Sequence, residues 1–370
     1  MFYREAGDYS TTYAEDQQTF PIKFDRYRYY LVMFIAIFVV PFALNDYWVN
    51  SLLLPFLIYA IAALGLNILV GYCGQVSLGT GGFMAVGAYS CYKFMTGVDI
   101  WWGGELLFRL PEFNIFFSVI MGGVMTALVG VLFGLPSLRI KGFYLAVATL
   151  AAQFFLVWLF NRVAWFYNYS ASGQINAPER DLLGVLITGP STEPWATYLF
   201  CLFFTIISAY IARNLTRGSS GRKWMAIRDM DIAAEIIGVN PLRAKLTAFA
   251  VSSFFIGISG ALFFSVYLGA VEVGEVFGIQ KSFLVLFMII IGGLGSIFGS
   301  FAGAAFLVLL PVALKVVGVD WLGWPTDIVA HLNLVVVGFL IIVFLIAEPH
   351  GIAQLWRVAK EKLRLWPFPH

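Results

Sequence analysis

Ten apolar stretches, separated by short polar or glycine-rich connections, follow one another between residues 30 and 347. Each reaches or approaches the roughly 20 residues that a helix needs to cross a bilayer. Backbone at membrane depth must satisfy its hydrogen bonds internally, and the alternating pattern of a β-barrel is missing, so we predict helices. The pattern indicates an all-α, polytopic integral membrane helical bundle with about ten passages: 30–47, 51–71, 77–95, 113–137, 142–162, 195–212, 246–270, 282–295, 297–317 and 329–347.

Glycine interrupts the third of these passages. Positions 71, 74, 79, 81, 82 and 87 are all glycine, which is too dense for an ordinary spanning helix. The third and eighth passages are also short, so either can be a half-helix or a re-entrant segment. Broken helices are tolerated in membranes where their backbone is buried in protein or faces a water-filled cavity. We therefore predict a broken or re-entrant glycine-rich segment near residues 71–95.

This broken segment is the candidate solute pathway. The amino-terminal end of a helix carries partial positive charge, so its free amides can bind a carboxylate without a side-chain cation. Two plainer explanations stay open. The glycines can serve close helix packing, and buried polar groups such as Thr149 and Gln153 can bond a neighbouring helix. The predicted pathway residues are Asn67, Gln75, Ser77, Gly79, Thr80 and Gly82.

Charge is informative by its location rather than its total. Charged residues make up 12% of the chain, about half the fraction in a typical soluble protein. The net charge of +2 is too small to indicate a nucleic-acid partner. With ten passages and both termini in the cytoplasm, most of the 23 lysines and arginines fall inside, as the positive-inside rule requires. Only six are predicted outside: Lys93, Arg109, Arg162, Arg180, Lys281 and Lys315.

The passages are expected to hold no lone charged residue at their centres, because Lys281 and Lys315 are assigned to passage ends. This argues against a proton-driven carrier, which usually needs an acid or a histidine relay in the membrane. The polar outer loop 163–194 is either a solvated connector or a docking surface for an external partner. The chain divides into a cytoplasmic tail, a transmembrane domain and an amphipathic cytoplasmic tail that rests on anionic membrane lipid: 1–29, 30–347 and 348–370.

A basic inner loop, residues 213–245, contains a helical pattern. Apolar residues recur along one face: Ile227, Met230, Ala234 and Ile237. Charged residues recur along another: Arg228, Asp231 and Glu235. Gly238 lies where a left-handed cap is expected, and Asn240-Pro241 ends the helix. We predict a short amphipathic helix that either rests on lipid headgroups or docks into a groove of a soluble partner. Its mixed charge favours a protein partner.

Four motifs resemble those of a known family. The runs GRKWMAIRD (221–229) and AAEIIGVN (233–240) resemble the cytoplasmic coupling loop of ABC importer permeases, most of all the M-type subunits of the branched-chain amino acid transport family. Three further stretches are similar to that family's second-span signature, late glycine turn and post-membrane end: LGLNILVGYCGQVSLG (64–79), GGLGSIFG (292–299) and EPHGI (348–352). The run TGG (80–82) departs from the family pattern, so the resemblance leaves the substrate preference open.

The resemblance implies an importer built from several chains. It implies a second homologous permease, two cytoplasmic ABC ATPases and an external, periplasmic binding protein, in the bacterial inner membrane. The residues that it assigns to ATPase coupling are Arg222, Ala226, Arg228, Asp231, Ala234, Glu235, Gly238 and Asn240. This chain lacks a phosphate-binding Gly-x-x-x-x-Gly-Lys-Ser/Thr loop, so ATP and Mg²⁺ are expected on the partners.

The expected function is transport rather than catalysis. Three scattered histidines make a histidine-based metal site improbable, and no cofactor is expected: His331, His350 and His370. The resemblance favours an importer of branched-chain or other hydrophobic amino acids that works by alternating access. Two alternatives stay open: the same machine carrying urea, a short amide or another small organic solute, and a self-sufficient secondary carrier or channel.

Overall fold

The chain is helical over most of its length. The computed structural model describes residues 12, 23–43, 45–102, 105–137, 144–189, 191–348 and 350–365. Most of the predicted tail 1–29, and the end of the predicted tail 348–370, lie outside the described residues. The principal helices are α1 (Lys23–Phe34), α2 (Leu54–Asn67), α3 (Thr80–Thr96), α4 (Ile115–Ser137), α5 (Tyr144–Arg162), α6 (Pro194–Arg217), α7 (Ser219–Asp229), α8 (Asp231–Ile236), α9 (Pro241–Leu262), α10 (Ile279–Gly292), α11 (Ile297–Lys315), α12 (Thr326–Ala347) and α13 (Gly351–Leu365).

Shorter helical pieces extend or connect these helices. Five are π-helical turns: Ile35–Val39, Val49–Leu53, Ile68–Tyr72, Phe263–Leu268 and Val316–Trp321. The others are single turns: Val40–Ala43, Asp46–Trp48, Ala164–Tyr167 and Val273–Val276. Because the π-helical turns continue α2, α9 and α11, each of those helices belongs to a longer helical stretch than its own bounds give.

Within the described residues, six short strands lie in the connections and form three two-stranded antiparallel sheets. The pairs are β1 (Val98–Trp102) with β2 (Glu105–Leu110), β3 (Ile175–Asn176) with β6 (Ala270–Val271), and β4 (Arg180–Leu182) with β5 (Val185–Thr188). In the second pair Ile175 faces Val271, so the predicted outer loop 163–194 is joined to the segment that follows α9. That loop is folded against the helical body rather than extended from it.

Eight helical stretches of the described chain are long and apolar enough to cross a membrane. They are Asp46–Tyr72, Ile115–Pro136, Leu145–Arg162, Pro194–Arg217, Pro241–Leu268, Val273–Gly292, Ile297–Trp321 and Thr326–Ile346. The first and third predicted passages are helical but shorter, at Tyr29–Phe42 and in the 17 residues of α3. The predicted class, a polytopic all-α membrane protein, is confirmed. The predicted start of the eighth passage at residue 282 is wrong, since its span begins at Val273.

The centre of the bundle is formed by α2 and α9. In the stretch Asp46–Tyr72, 89% of the apolar window is buried within the protein, against 6% for α12. The two central helices run antiparallel, because Ser259 donates to the carbonyl of Ile58 across 2.8 Å while a Cβ on Gly65 would lie 2.9 Å from the carbonyl oxygen of Ser252. Small residues bring helix backbones close together in this way in membranes. Gly87, one of the dense glycines, does the same, since a Cβ there would lie 2.1 Å from the carbonyl oxygen of Gly257 on α9. Close helix packing therefore accounts for part of the glycine pattern.

The same order of elements follows the carboxyl ends of the two central helices. After α2 come a π-helical turn, the non-helical residues 73–79 and then α3. After α9 come a π-helical turn, the segment 269–278 with one short turn, and then α10. Because α2 and α9 are antiparallel, these two broken units have inverted orientations. They meet where the amide of Gly81 donates to Ser282 Oγ across 2.8 Å.

Candidate functional site

The predicted break in the third passage is present, and Gly74 shows why glycine is needed there. Helical structure ends at Tyr72 and resumes at Thr80. Gly74 has a φ of +70°, in the left-handed region that favours glycine. A Cβ on Gly74 would also lie 2.9 Å from Cγ of Arg228. Both the backbone conformation and the close approach of Arg228 therefore disfavour a larger residue at position 74.

Side chains from two other helices hold the amino-terminal end of α3. The amide of Leu78 donates to Thr149 Oγ1 on α5 across 3.0 Å. The amide of Gly82 donates to Gln153 Oε1, also on α5. Gln153 is 1% exposed and donates in turn to the carbonyl of Phe277 across 2.7 Å. The expectation that buried polar groups on this helix bond neighbouring segments is confirmed for Thr149 and Gln153. In this conformation the amides of residues 78, 81 and 82 are taken up by protein groups.

The other predicted pathway residues differ in their surroundings. Thr80 is fully buried, and its Oγ1 lies among the described atoms without a hydrogen-bond partner. Ser77 and Gly79 are buried, whereas Gln75 is partly exposed. A Cβ on Gly79 would lie 2.8 Å from the carbonyl oxygen of Thr149. Residues 77–82 therefore lie against α5 and α10, and Gln75 lies nearer the surface.

Asn67 belongs to a different contact. Its Nδ2 donates to the carbonyl of Ser296 and to Ser300 Oγ, both across 2.8 Å, and its Oδ1 accepts from the amide of Gly295 across 2.9 Å. The side chain of Asn67 is thus bonded to the turn between α10 and α11 and to the first turn of α11. Gly293 and Gly295 have φ values of +116° and +74° in that turn. The structure ties Asn67 to this turn and not to the start of α3.

The basic loop 213–245 forms two helices, α7 and α8, and not the single amphipathic helix that the pattern predicted. Met230 is extended, with φ −159° and ψ 96°, and separates α7 from α8. The predicted apolar face is consequently split: Ile227 and Ala234 are buried, whereas Met230 and Ile237 are 68% and 75% exposed. A helical spacing read across the break has no structural meaning, because the two helices have separate axes.

The predicted end of this loop is confirmed. Gly238 has a φ of +90°, as expected of a left-handed cap after α8. The side chain of Asn240 accepts from the amide of Arg243 across 3.0 Å and so caps α9, with Pro241 at the first helical position. These caps fix the distance between α8 and the central helix α9.

Two side chains anchor α7 to the helical body. Trp224 is 1% exposed and donates from Nε1 to Thr247 Oγ1 on α9 across 3.2 Å. Arg228 donates from Nη1 to the carbonyl of Gly71 across 2.9 Å, and its Nη2 lies 2.9 Å from Asp229 Oδ1. Sequence reasoning missed the Trp224 contact, although a tryptophan in a short basic loop is itself a signal of burial.

The remaining predicted coupling residues are mostly at the surface. Arg222 is exposed and donates to the carbonyl of Arg217 across 3.3 Å. Glu235 and Gly238 are exposed, while Ala226 and Asp231 are partly buried. Together with the exposed apolar residues of α8 they form one mixed surface, which we call the α7–α8 surface and define as residues 222–240.

Lys281 is the third residue of α10, but it lies well inside the apolar stretch Val273–Gly292, so its assignment to a passage end is wrong. It is the ninth residue of the stretch Val273–Gly292, which has 20 residues. Its Nζ donates to the hydroxyl of Tyr59 across 2.7 Å, and Tyr59 is the central residue of the 27 in Asp46–Tyr72. The charge shortened the apolar run and moved the predicted start to residue 282. The argument against ion coupling from an absence of mid-span charge therefore no longer holds.

These features define a class of protein: a multi-pass helical membrane protein with two inverted broken helices, one of which is bonded to a surface helix pair. Residues 49–345 match the family described as branched-chain amino acid transport system / permease component. The chain belongs to this family and is a permease component of a transport system that works with other subunits.

Individual relatives agree with this assignment. The chain is 30% identical over 323 residues to the high-affinity branched-chain amino acid transport system permease protein LivM of Escherichia coli (strain K12), covering 81% of this chain and 69% of LivM. LivM of Salmonella typhimurium gives the same values. The probable branched-chain amino acid transport permease protein LivM of Methanocaldococcus jannaschii is 23% identical over 331 residues, 82% of this chain and 92% of that protein. No solved structure matches the chain.

Proposed function

We propose that this chain is the transmembrane permease subunit of an ATP-driven ABC importer for branched-chain or other hydrophobic amino acids in a bacterial inner membrane. The observation that carries the proposal is the bond from Arg228 to the carbonyl of Gly71, which joins a surface helix directly to a broken membrane helix. Family membership supplies the transport role. The bond supplies a route by which events on a soluble partner reach the solute pathway.

The α7–α8 surface has the chemistry of a docking site for an ATPase. Four apolar side chains are exposed on or beside α8, where solvent alone would disfavour them: Met230, Ile232, Ile236 and Ile237, at 68%, 66%, 81% and 75%. Glu235 stands among them and Arg222 on α7. A groove on a soluble partner binds such a surface through contacts with its apolar side chains and with the charges beside them. ATP and Mg²⁺ are bound by that partner in this proposal.

Motion of this surface would reach the pathway through two contacts. Trp224 and Thr247 hold α7 against α9, and Arg228 holds it against the end of the α2 stretch. Asn67, near the end of the same stretch, is in turn hydrogen-bonded to the turn between α10 and α11. Since both broken units are in contact with this chain of bonds, a tilt of α7 would move them together. Alternating access between outward-open and inward-open states is the proposed result.

The proposed solute pathway passes the start of α3, at Ser77, Gly79, Thr80 and Gly82. Amides there are bonded to Ser282 and Gln153, so an acceptor group of the solute could reach them only by replacing those side chains. The buried, unpartnered Thr80 hydroxyl would gain a partner in the same step. We assign Gln75 to the inner mouth of this route, because it is partly exposed and follows Gly74, which packs on Arg228.

The proposed assembly contains this chain, a homologous second permease, two ABC ATPases and an external binding protein. Both termini are cytoplasmic in this arrangement. The carboxy-terminal helix α13 lies on lipid at the inner face, where Trp356 stacks on Phe298 with ring centroids 5.9 Å apart. Arg357 and Lys360 on the same helix are exposed and would face anionic headgroups.

The test is ATP-dependent uptake by the reconstituted complex. Vesicles with all subunits should concentrate leucine, isoleucine or valine, and removal of the ATPases should abolish uptake. Uptake of urea with no response to these amino acids would contradict the cargo. Accumulation by the chain alone would contradict the ATP-driven mechanism.

Two substitutions test the docking surface within that assay. Glu235→Arg reverses a charge on α8, and Gly238→Pro demands a φ near −65° where the chain has +90°. Both should uncouple hydrolysis from uptake, or prevent assembly, while the chain still inserts. Asp320→Arg, an exposed charge reversal at the far end of the α11 stretch, is the matched control. Normal uptake in both loop variants would remove this surface from the mechanism.

A further inference from the structure

Lys281 is a cation held inside the helical body by aromatic side chains. Its Nζ is 2.7 Å from the Tyr59 hydroxyl oxygen, 4.6 Å from the centroid of the Phe263 ring and 5.2 Å from that of the Tyr59 ring. The three residues come from α10, the α9 stretch and α2. An ionisable residue at the middle of a span is costly and generally marks a substrate or ion pathway.

The described part of the chain supplies no carboxylate within ion-pair distance of Lys281. By contrast, three arginines of the described residues do have carboxylate partners, and these pairs lie near the surface: Arg109 with Asp99, Arg180 with Glu112, and Arg228 with Asp229. A cation that is largely removed from water and has no counter-charge is destabilised by the loss of its hydration. A phenol compensates only part of this cost. Because the Tyr59 oxygen accepts the lysine bond, its own O–H proton remains as a second donor.

The surroundings of this pair are apolar and aromatic. Phe263 is 3% exposed, with its ring centroid 5.5 Å from that of Tyr59 and 6.2 Å from that of Phe277. Lys281 itself is partly exposed, so the site is not sealed. A site for a small amphipathic anion is expected to combine a few polar groups with an apolar lining. Lys281 provides a cation here, Tyr59 provides a hydroxyl donor, and Phe263 provides an apolar wall.

The site also adjoins the proposed pathway. Ser282, the next residue, accepts the amide of Gly81 at the start of α3. The Lys281–Tyr59 pair and the start of α3 therefore meet at the level where the two inverted broken units touch. Binding sites in transporters with inverted repeats lie at such junctions of discontinuous helices.

We infer that Lys281 and Tyr59 bind the carboxylate of the transported solute, with its aliphatic part against Phe263. The inference rests on the proposed function and deepens it, since it names the atoms that recognise the cargo: Lys281 Nζ and the Tyr59 hydroxyl. It selects aliphatic carboxylates and disfavours urea and short amides, which have no negative charge to pair with the lysine.

Direct binding to the full chain in lipid nanodiscs, without a binding protein, tests the site. The probes are leucine, 4-methylpentanoate, which lacks the amine, and leucinol, which lacks the carboxylate; saturation-transfer NMR gives their affinities. Leucine and 4-methylpentanoate should bind, and leucinol should bind at least about tenfold more weakly. Lys281→Met should weaken both carboxylates by a similar factor, and Tyr59→Phe by a few-fold. Equal binding of leucinol and leucine would overturn the inference.

Matched variants separate binding from folding. Lys281→Arg keeps the charge and should retain most carboxylate binding, even if Lys281→Met fails to fold. Lys315→Met removes an exposed lysine at the end of α11 and should bind like the parent chain. Carboxylate binding unchanged in Lys281→Met, or lost equally in Lys315→Met, would contradict the assignment.

Uptake by the full complex distinguishes this inference from the proposed function. If the parent complex imports leucine and the Lys281→Met complex does so with the same KM, the function stands and the inference fails. If the parent complex imports no amino acid, yet the chain binds 4-methylpentanoate through Lys281, the proposed function fails and the carboxylate site stands.

Discussion

The guanidinium of Arg228 and the carbonyl oxygen of Gly71 are joined by a hydrogen bond of 2.9 Å between residues 157 positions apart in the chain. The same side chain packs on Gly74, and a Cβ on Gly295 would lie 3.4 Å from its Nη1. Arg228 is therefore the point where the surface helix α7, the broken segment after α2 and the turn between α10 and α11 come together. In the proposed mechanism this side chain is the link between the docking surface and the broken helices.

Arg228→Met should uncouple transport from ATP hydrolysis. The change removes a hydrogen bond from a charged donor, worth about 1.5–3 kcal/mol, but keeps most of the aliphatic packing on Gly74. We expect uptake by the reconstituted complex to fall at least about tenfold while the ATPases still hydrolyse ATP. Lys315→Met, at an exposed lysine outside the α7–α8 surface, is the control. Equal uptake in the two variants would show that the bond to Gly71 is dispensable.

Gly295→Ala should destabilise the protein where Gly338→Ala does not. Gly295 has a φ of +74°, a conformation that costs an L-residue about 1–2 kcal/mol. Gly338 lies exposed within α12, and a Cβ there would meet nothing within 4 Å. Thermal unfolding of the purified chain should therefore give a lower Tm for Gly295→Ala and a Tm for Gly338→Ala equal to or above that of the parent. A reversed order would mean that the turn tolerates a side chain.

Local chemistry predicted much of this fold. The ten apolar stretches are all helical and in the correct order, and eight helical stretches of the described residues are long enough to cross a membrane. The dense glycines marked the break before α3, and Gly238 and Asn240 marked the end of the loop helices α7 and α8. The break at Met230 was missed, because residues 227 to 237 keep helical spacing across it. No glycine or proline adjoins Met230, so the local sequence does not predict an extended residue at that position.

The contacts that build the candidate site were beyond local patterns. Asn67 is bonded to Ser296, 229 residues away, and Tyr59 to Lys281, 222 residues away. The local sequence gives no signal for either partner, because Ser296 is a serine in a glycine-rich turn and Lys281 is a lysine beside an apolar run. Their importance arises only when antiparallel packing of α2 and α9 brings two broken units together, which the sequence of either unit does not encode alone.

Asn67→Leu should loosen the turn between α10 and α11. Leucine is similar in size but leaves the amide of Gly295 and the carbonyl of Ser296 without their partner. Interhelical hydrogen bonds in membranes contribute about 0.6–1.7 kcal/mol each, so we expect a loss of about 1–3 kcal/mol, measured by unfolding in detergent. Asn50→Leu, at an exposed asparagine, is the comparison. If both variants unfold like the parent chain, Asn67 does not hold this turn and regains a role in the solute pathway.

Ile236→Asp should weaken docking of the ATPases without affecting the fold. Ile236 is 81% exposed, so the free chain loses little packing when it is replaced. In the proposed complex the side chain fills an apolar groove, and a carboxylate there would cost about 2–4 kcal/mol, which is at least about a 30-fold loss of affinity. The measurement is titration of the ATPase against the purified permease.

Leu183→Asp, at a 98% exposed leucine between β4 and β5, makes the same kind of substitution on a distant loop and should leave the affinity unchanged. Because neither substitution disturbs a buried contact, a loss of ATPase binding confined to Ile236→Asp would report on docking alone. Unchanged affinity in both would mean that the exposed isoleucines of α8 face lipid instead.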